Sequence, residues 1–152
     1  MAGKELILDP AEFDLERVVA DIEQIRKYNP QRFEMEQLTA VVLDDVGYAQ
    51  LGCYGSDLAT PTFDRLAAGG LRYANFHTTS LCSPTRACLM TGRNHHANGM
   101  GRIADFSSGF PGYDAVIPKE NGFLPEILRA QHYATYAVGK WHLAPMTEIT
   151  MG

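Results

Sequence analysis

Residues 82–93 read Cys-Ser-Pro-Thr-Arg-Ala-Cys-Leu-Met-Thr-Gly-Arg. A thiol leads directly into Ser-Pro-Thr, a helix-starting sequence, and Arg86 follows four positions after Cys82. On a helix that interval sets a nucleophile and a cation on one face of the first turn. Backbone N–H groups and the macrodipole at such a terminus add to the guanidinium charge, so the arrangement suits a small oxyanion such as sulfate or phosphate. From Arg65 to Ala104 there is no Asp or Glu, while Arg65, Arg72, Arg86, Arg93 and Arg102 all fall inside, in a chain of net charge −5. Nucleic acid is a poor partner for it, because the balance is acidic and no regular aromatic interleaving accompanies the arginines.

Two more groups could do chemistry. Asp44 and Asp45 follow the apolar run Leu38 to Leu43, which reads as a buried strand, with Gly47 placed to turn the chain away. Neighbouring carboxylates repel by about 4 kcal/mol at about 4 Å with an effective dielectric near 20, and a shared hard cation such as Ca²⁺ or Mg²⁺ relieves this. By itself such a pair is more often a solvated turn. Lys140 and His142 flank Trp141, and an extended segment would put the two on one face and the indole on the other. Cys53 and Cys88 read as small buried hydrophobes, and His95 and His96 as part of a surface loop. Three cysteines give no disulfide framework.

Taken in order, these blocks resemble a known family. Cys82-Ser83-Pro84-Thr85-Arg86, continuing to Leu89 and Thr91-Gly92-Arg93, is similar to the sulfatase signature C-x-P-[S/T]-R followed by L-x-T-G. Upstream, Val41 to Gly47 leads to Leu51-Gly52-Cys53-Tyr54-Gly55, Thr60-Pro61-Thr62 and Asp64-Arg65-Leu66-Ala67; downstream comes Val138-Gly139-Lys140-Trp141-His142-Leu143. Gly92-Arg93-Asn94-His95-His96 looks like the bacterial arylsulfatase branch. The resemblance implies hydrolysis of sulfuric esters on an alkaline-phosphatase-like α/β fold. It implies that a maturase oxidises Cys82 to formylglycine, whose hydrated aldehyde offers one hydroxyl to attack sulfur and a second to expel sulfate. Arg86 would stabilise the hydrate and the metal-site charge, Lys140 would hold sulfate oxygens, and His142 would hydrogen bond or deprotonate the second hydroxyl. One Ca²⁺ or Mg²⁺ would sit on Asp44, Asp45 and the oxygen formed at position 82. The family also draws an Asp-Asn pair, a second His and a second Lys from later positions than this chain has. A weak metal site and little or no turnover by the chain alone are therefore expected. The alternatives are a phosphonate monoester or phosphodiester hydrolase sharing the C-x-P-x-R block, or a non-catalytic fragment or fusion.

The elements that must position these groups alternate. Helices are expected at 61–69, 84–92 and 123–131, and strands at 38–44, 71–77 and 134–139, with a loop at 104–122. This predicts an α/β domain over 40–152 with a mostly parallel, truncated sheet, an exposed edge and a tendency to self-associate through an incomplete core. Residues 1–39 read as a separate helical extension. Asp9, Pro10 and Glu12 start a helix whose apolar face is Leu15, Val18, Val19, Ile22 and Ile25, ending at Tyr28-Asn29-Pro30. Residues 1–40 hold five basic and nine acidic groups, against eight and nine in 41–152. Lys4 to Ala40 resembles instead the amino end of 3-hydroxyacyl-carrier-protein dehydratases of the hotdog fold, which together with the early stop points to a fused or truncated reading frame; a helix that covers an apolar face is the other reading. Met1-Ala2-Gly3-Lys4-Glu5 does not open a signal peptide and no run reaches membrane-spanning length, so the default expectation is cytoplasmic with no membrane partner, although the resemblance implies a family whose members are often exported.

Overall fold

A computed structural model describes residues 39–145. The helix expected at 10–28 and the dehydratase-like stretch lie outside these residues. The chain divides into two compact units, whose described parts are residues 39–76 and residues 77–145.

Among the described residues of the first unit the one α-helix, α1, spans Pro61–Gly69, as expected. Pro61 starts it, since proline's fixed φ suits the first helical position and its missing N–H has no partner to lose there. The Leu51–Gly55 block packs onto this start. Thr60 Oγ1 accepts the Gly52 N–H at 2.8 Å and donates to Asp64 Oδ1 at 3.2 Å. A Cβ on Gly52 would lie 2.9 Å from both Asp64 carboxylate oxygens. The close approach ties Gly52, Thr60 and Asp64 to one another and leaves no room for a side chain at position 52.

The second unit holds α2, Cys82–Thr91, and α3, Leu124–Ala130. α2 begins two residues earlier than expected, with Pro84 inside its first turn, where no intrahelical donor is lost. It ends at Thr91, one residue before the expected end: Gly92 is left-handed (φ 69) and returns its N–H to the Cys88 carbonyl at 2.8 Å. Ala87 on the inner face of α2 meets Met100, Ala104, Ala115 and Leu143, with Met90, Ile117 and Phe123 packed around them. Small residues dominate this cluster, so the backbone comes close to α2. The loop expected at 104–122 is built largely of turns, with 3-10 turns at Ala104–Phe106 and Lys119–Asn121. Asn98, fully buried, joins three segments. Its Nδ2 donates to Thr91 Oγ1 at 2.8 Å and to the Arg93 carbonyl at 3.3 Å, and its Oδ1 accepts from Asn121 Nδ2 at 2.9 Å.

The strands expected at 38–44, 71–77 and 134–139 are not formed among the described residues, and the parallel sheet is absent there. A buried parallel strand draws its stability from ladders at both edges and helices on both faces. Here the side chains that should be buried are open to water: Leu71 is 86% exposed, Phe76 71% and Val138 70%. α2 is closed by Gly92 and packed through Ala87, whereas these segments have no strand partner among the described residues.

Candidate active site

The start of α2 carries the first candidate. Leu81 is extended (φ −136, ψ 154) and accepts the Thr85 N–H at 3.1 Å, the first full helical bond. Just before it, Thr79 and Thr85 join hydroxyl to hydroxyl at 2.6 Å. Ser83 and Pro84 are buried, and Ser83 Oγ accepts the Ala104 N–H at 3.1 Å. The last bond ties the 104–106 turn to the residue next to Cys82.

The segment 140–142 closes over this helix start. Cys82 Sγ lies 3.2 Å from His142 Nδ1, and His142 Nε2 lies 2.8 Å from Asp105 Oδ2. One turn along α2, Arg86 donates through Nη1 to the carbonyl oxygen of Lys140. Cys82 and Arg86 thus share a face, as their spacing predicts, and that face meets the segment carrying Lys140 and His142. Trp141 turns to Phe123, with ring centroids 5.9 Å apart. The expectation of an extended Lys-Trp-His run needs one correction. His142 has φ 54, a left-handed conformation that costs roughly 1–2 kcal/mol in a residue with a Cβ. Leu143, 7% exposed in the core, and the two contacts of the imidazole hold it there.

Asp105 was not among the residues singled out from the sequence. An aspartate in a loop rich in Gly, Ser and Pro carries no spacing signal. The available clue was its place as the first carboxylate after the acid-free stretch that ends at Ala104.

Of the arginines in the acid-free stretch, Arg65 and Arg72 belong to the first unit; in the second, Arg93 donates from Nε to the Asn121 carbonyl at 2.9 Å and Arg102 stacks over Phe106 at 5.4 Å. Arg86 lies on the face of α2 that meets residues 140–142. His95 Nδ1 contacts the Met100 carbonyl at 3.1 Å and His96 Nε2 the Tyr113 hydroxyl at 3.1 Å, so both build their loop. Cys53 and Cys88 are free thiols, half-buried instead of buried. Asp44 and Asp45 lie in the first unit on an exposed bend, with Asp45 at φ 54. The chain therefore turns at Asp45 and not at Gly47, which is extended (φ −86, ψ 164).

Residues 38–151 match the family model described as Sulfatase. The chain belongs to the sulfatase family. It is 43% identical over 110 residues to an uncharacterized sulfatase of Schizosaccharomyces pombe, covering 68% of this chain and 20% of that protein. It is 42% identical over 115 residues to arylsulfatase A of Homo sapiens, covering 70% and 20%, and 41% identical over 108 residues to N-acetylgalactosamine-6-sulfatase of Homo sapiens, covering 68% and 21%. The sulfatase chain here thus spans about a fifth of the length of these relatives.

The family implies a formylglycine and a divalent ion, and the residues present can be tested against both. Cys82 is half-buried with an imidazole nitrogen at its sulfur, a setting that fits a side chain bearing hydroxyl groups, with Sγ standing in for one hydroxyl oxygen. For the ion, Asp44 and Asp45 are hard oxygen donors of the right kind. Among the described residues, however, no group of three or more His, Cys, Asp or Glu side chains is placed to hold a metal, so the donors fit in chemistry and fall short in number of the roughly 6 to 8 oxygens Ca²⁺ takes.

Proposed function

We propose that this chain carries the nucleophile-bearing part of a sulfuric ester hydrolase of the arylsulfatase kind, on a partial alkaline-phosphatase-like α/β domain. The reading is carried by one observation: the thiol of a C-x-P-x-R block lies against His142 Nδ1 at the start of a helix. Formylglycine, once made from Cys82 by a maturase and hydrated by addition of water to its aldehyde, would supply two hydroxyls on one carbon, one to attack sulfur and one to release sulfate. The chain's own groups then have defined tasks. His142 accepts a proton at Nδ1, a transfer that imidazole supports near neutral pH. Arg86 and Lys140 provide the positive charge that sulfate oxygens need. Asp44 and Asp45 would hold a Ca²⁺ or Mg²⁺ ion, which would neutralise charge as the ester is cleaved. The substrate class is a small-molecule sulfate ester. Self-association is part of the same proposal, because Leu71, Tyr73, Phe76, Tyr136 and Val138 are all at least 63% exposed. No helix among the described residues is long and apolar enough to cross a membrane.

The test is coexpression of the full chain with a formylglycine-generating enzyme, followed by rates on an aryl sulfate and on a bis-aryl phosphate. Weak sulfate release that disappears in Cys82→Ala is the expected result. Faster cleavage of the phosphate diester would reassign the chain to phosphodiester or phosphonate ester hydrolysis, and silence on both together with a missing cooperative melt would favour a non-catalytic chain.

A further inference from the structure

We infer that Asp105 is the positioning residue of His142: its carboxylate holds the Nε2–H and so turns the bare Nδ1 lone pair toward the side chain at position 82. The inference deepens the reading above and rests on it, since it assigns Asp105 a part in the same site.

Three observations converge on it. The first is the relay itself, in which His142 Nδ1 lies 3.2 Å from Cys82 Sγ and Nε2 lies 2.8 Å from Asp105 Oδ2. A carboxylate can only accept, so the nitrogen facing it bears the proton, and in the neutral ring the other nitrogen is then an acceptor. That acceptor is the one facing residue 82. Without a partner on Nε2 the ring could carry its proton on either nitrogen and rotate about χ2. The second is that the carboxylate is held in place. Phe106 and Ser107 return their N–H groups to Ile103 and Ala104 at 3.1 Å, closing the turn that presents Asp105. Ala104 is fully buried, and its N–H is fixed by Ser83 Oγ, one residue from Cys82. The turn and the nucleophile therefore share one anchor. The third is the cost met by the imidazole: His142 is left-handed at φ 54, with its side chain only 14% exposed. An incidental surface ion pair contributes about 0–1 kcal/mol, and it comes without a distorted backbone and a half-enclosed ring.

The arrangement of base and orienting carboxylate is one that acyl-transfer triads also use, where loss of the carboxylate's acceptor character leaves the wrong tautomer. Here the orienting group stands on a different turn from the nucleophile, and the two are fixed to each other by the serine inside the C-x-P-x-R block. That gives Ser83 a purpose beyond filling the variable position: it registers Asp105 against Cys82.

The experiment uses the full chain in its thiol form, with isotope-labelled histidine, and reads which ring nitrogen of His142 carries the proton by heteronuclear NMR. The expected result is an Nε2–H tautomer whose ring proton is slow enough in exchange to be observed. Asp105→Ala should erase that proton signal, Asp105→Asn should populate the Nδ1–H tautomer, and Asp105→Glu should restore the native pattern. Because Asp105 is 40% exposed on a surface turn, the fold should survive all three changes, and unchanged backbone amide spectra away from residues 80–85, 103–107 and 140–143 would verify it. A native Nδ1–H tautomer, or a protected Nε2–H that persists in Asp105→Ala, would overturn the assignment. The readout needs neither maturation nor substrate, so a chain that never forms the aldehyde yet shows the locked tautomer would refute the hydrolase reading and leave the positioning role standing.

Discussion

Replacing Asn98 by alanine should unfasten the unit that carries Cys82. Asn98 is fully buried, and its carboxamide spans the end of α2, the turn after it and Asn121. Two of its bonds are short, to Thr91 Oγ1 at 2.8 Å and from Asn121 Nδ2 at 2.9 Å, and each contributes about 1 kcal/mol net. Thr91 still donates to the Ala87 carbonyl at 2.7 Å and Asn121 to the Ala97 carbonyl at 2.8 Å, so neither is orphaned. The Arg93 carbonyl and the space left by the carboxamide add a penalty, which brings the loss to about 2–4 kcal/mol. Against the roughly 5–15 kcal/mol of an ordinary domain that is a large share. The assay is urea unfolding followed by fluorescence of Trp141, the one tryptophan, which neighbours His142 and rests on Phe123. With an m-value of about 1–2 kcal/mol per M, the midpoint should fall by at least about 1 M. Asn98→Asp should be no better, since a carboxylate has no donor for the Arg93 carbonyl. A shift below about 0.3 M with m unchanged would show that these bonds do not hold the unit together.

Other outcomes follow from the same geometry. Leu143→Ala removes the buried anchor beside His142 and should cost about 2–4 kcal/mol by the same unfolding assay. Gly99→Ala should be as damaging or worse, because φ is +69 and the new Cβ would lie 2.2 Å from Asp114 Oδ1 and 2.6 Å from the Val116 carbonyl oxygen; a variant with native-like melting would contradict the placement of that loop. Calorimetric titration of the chain with Ca²⁺ should give a dissociation constant of about 10⁻³ M or weaker, since two carboxylates supply few of the oxygens the ion takes, and Asp44→Asn with Asp45→Asn should abolish it. Micromolar binding would contradict that expectation.

Much of the site was readable from residue order because its parts are local. A helix starting at Pro61 and a four-residue spacing between Cys82 and Arg86 each act within a turn or two, and the structure places them accordingly. The link from Cys82 to His142 crosses sixty positions and was legible through the resemblance of the two blocks alone. What escaped was tertiary. Asp105 reaches the site through a bond between Ser83 and a backbone N–H, and no spacing rule encodes such a bond. The arginines looked like one cationic run in sequence, whereas within the second unit Arg86 and Arg93 donate to carbonyls and Arg102 lies over a ring. The strands were misjudged for a related reason: an apolar run such as Val41 to Leu43 records readiness to be buried in a sheet, while the ladder depends on partners elsewhere.

Conversion of Cys82 is the central claim, and mass spectrometry of the tryptic peptide 73–86 after coexpression with the maturase tests it directly. The account predicts an aldehyde in place of the thiol, reactive toward a hydrazide and absent from Cys82→Ala. An intact thiol at position 82, in cells where the same maturase converts a control substrate, would contradict it.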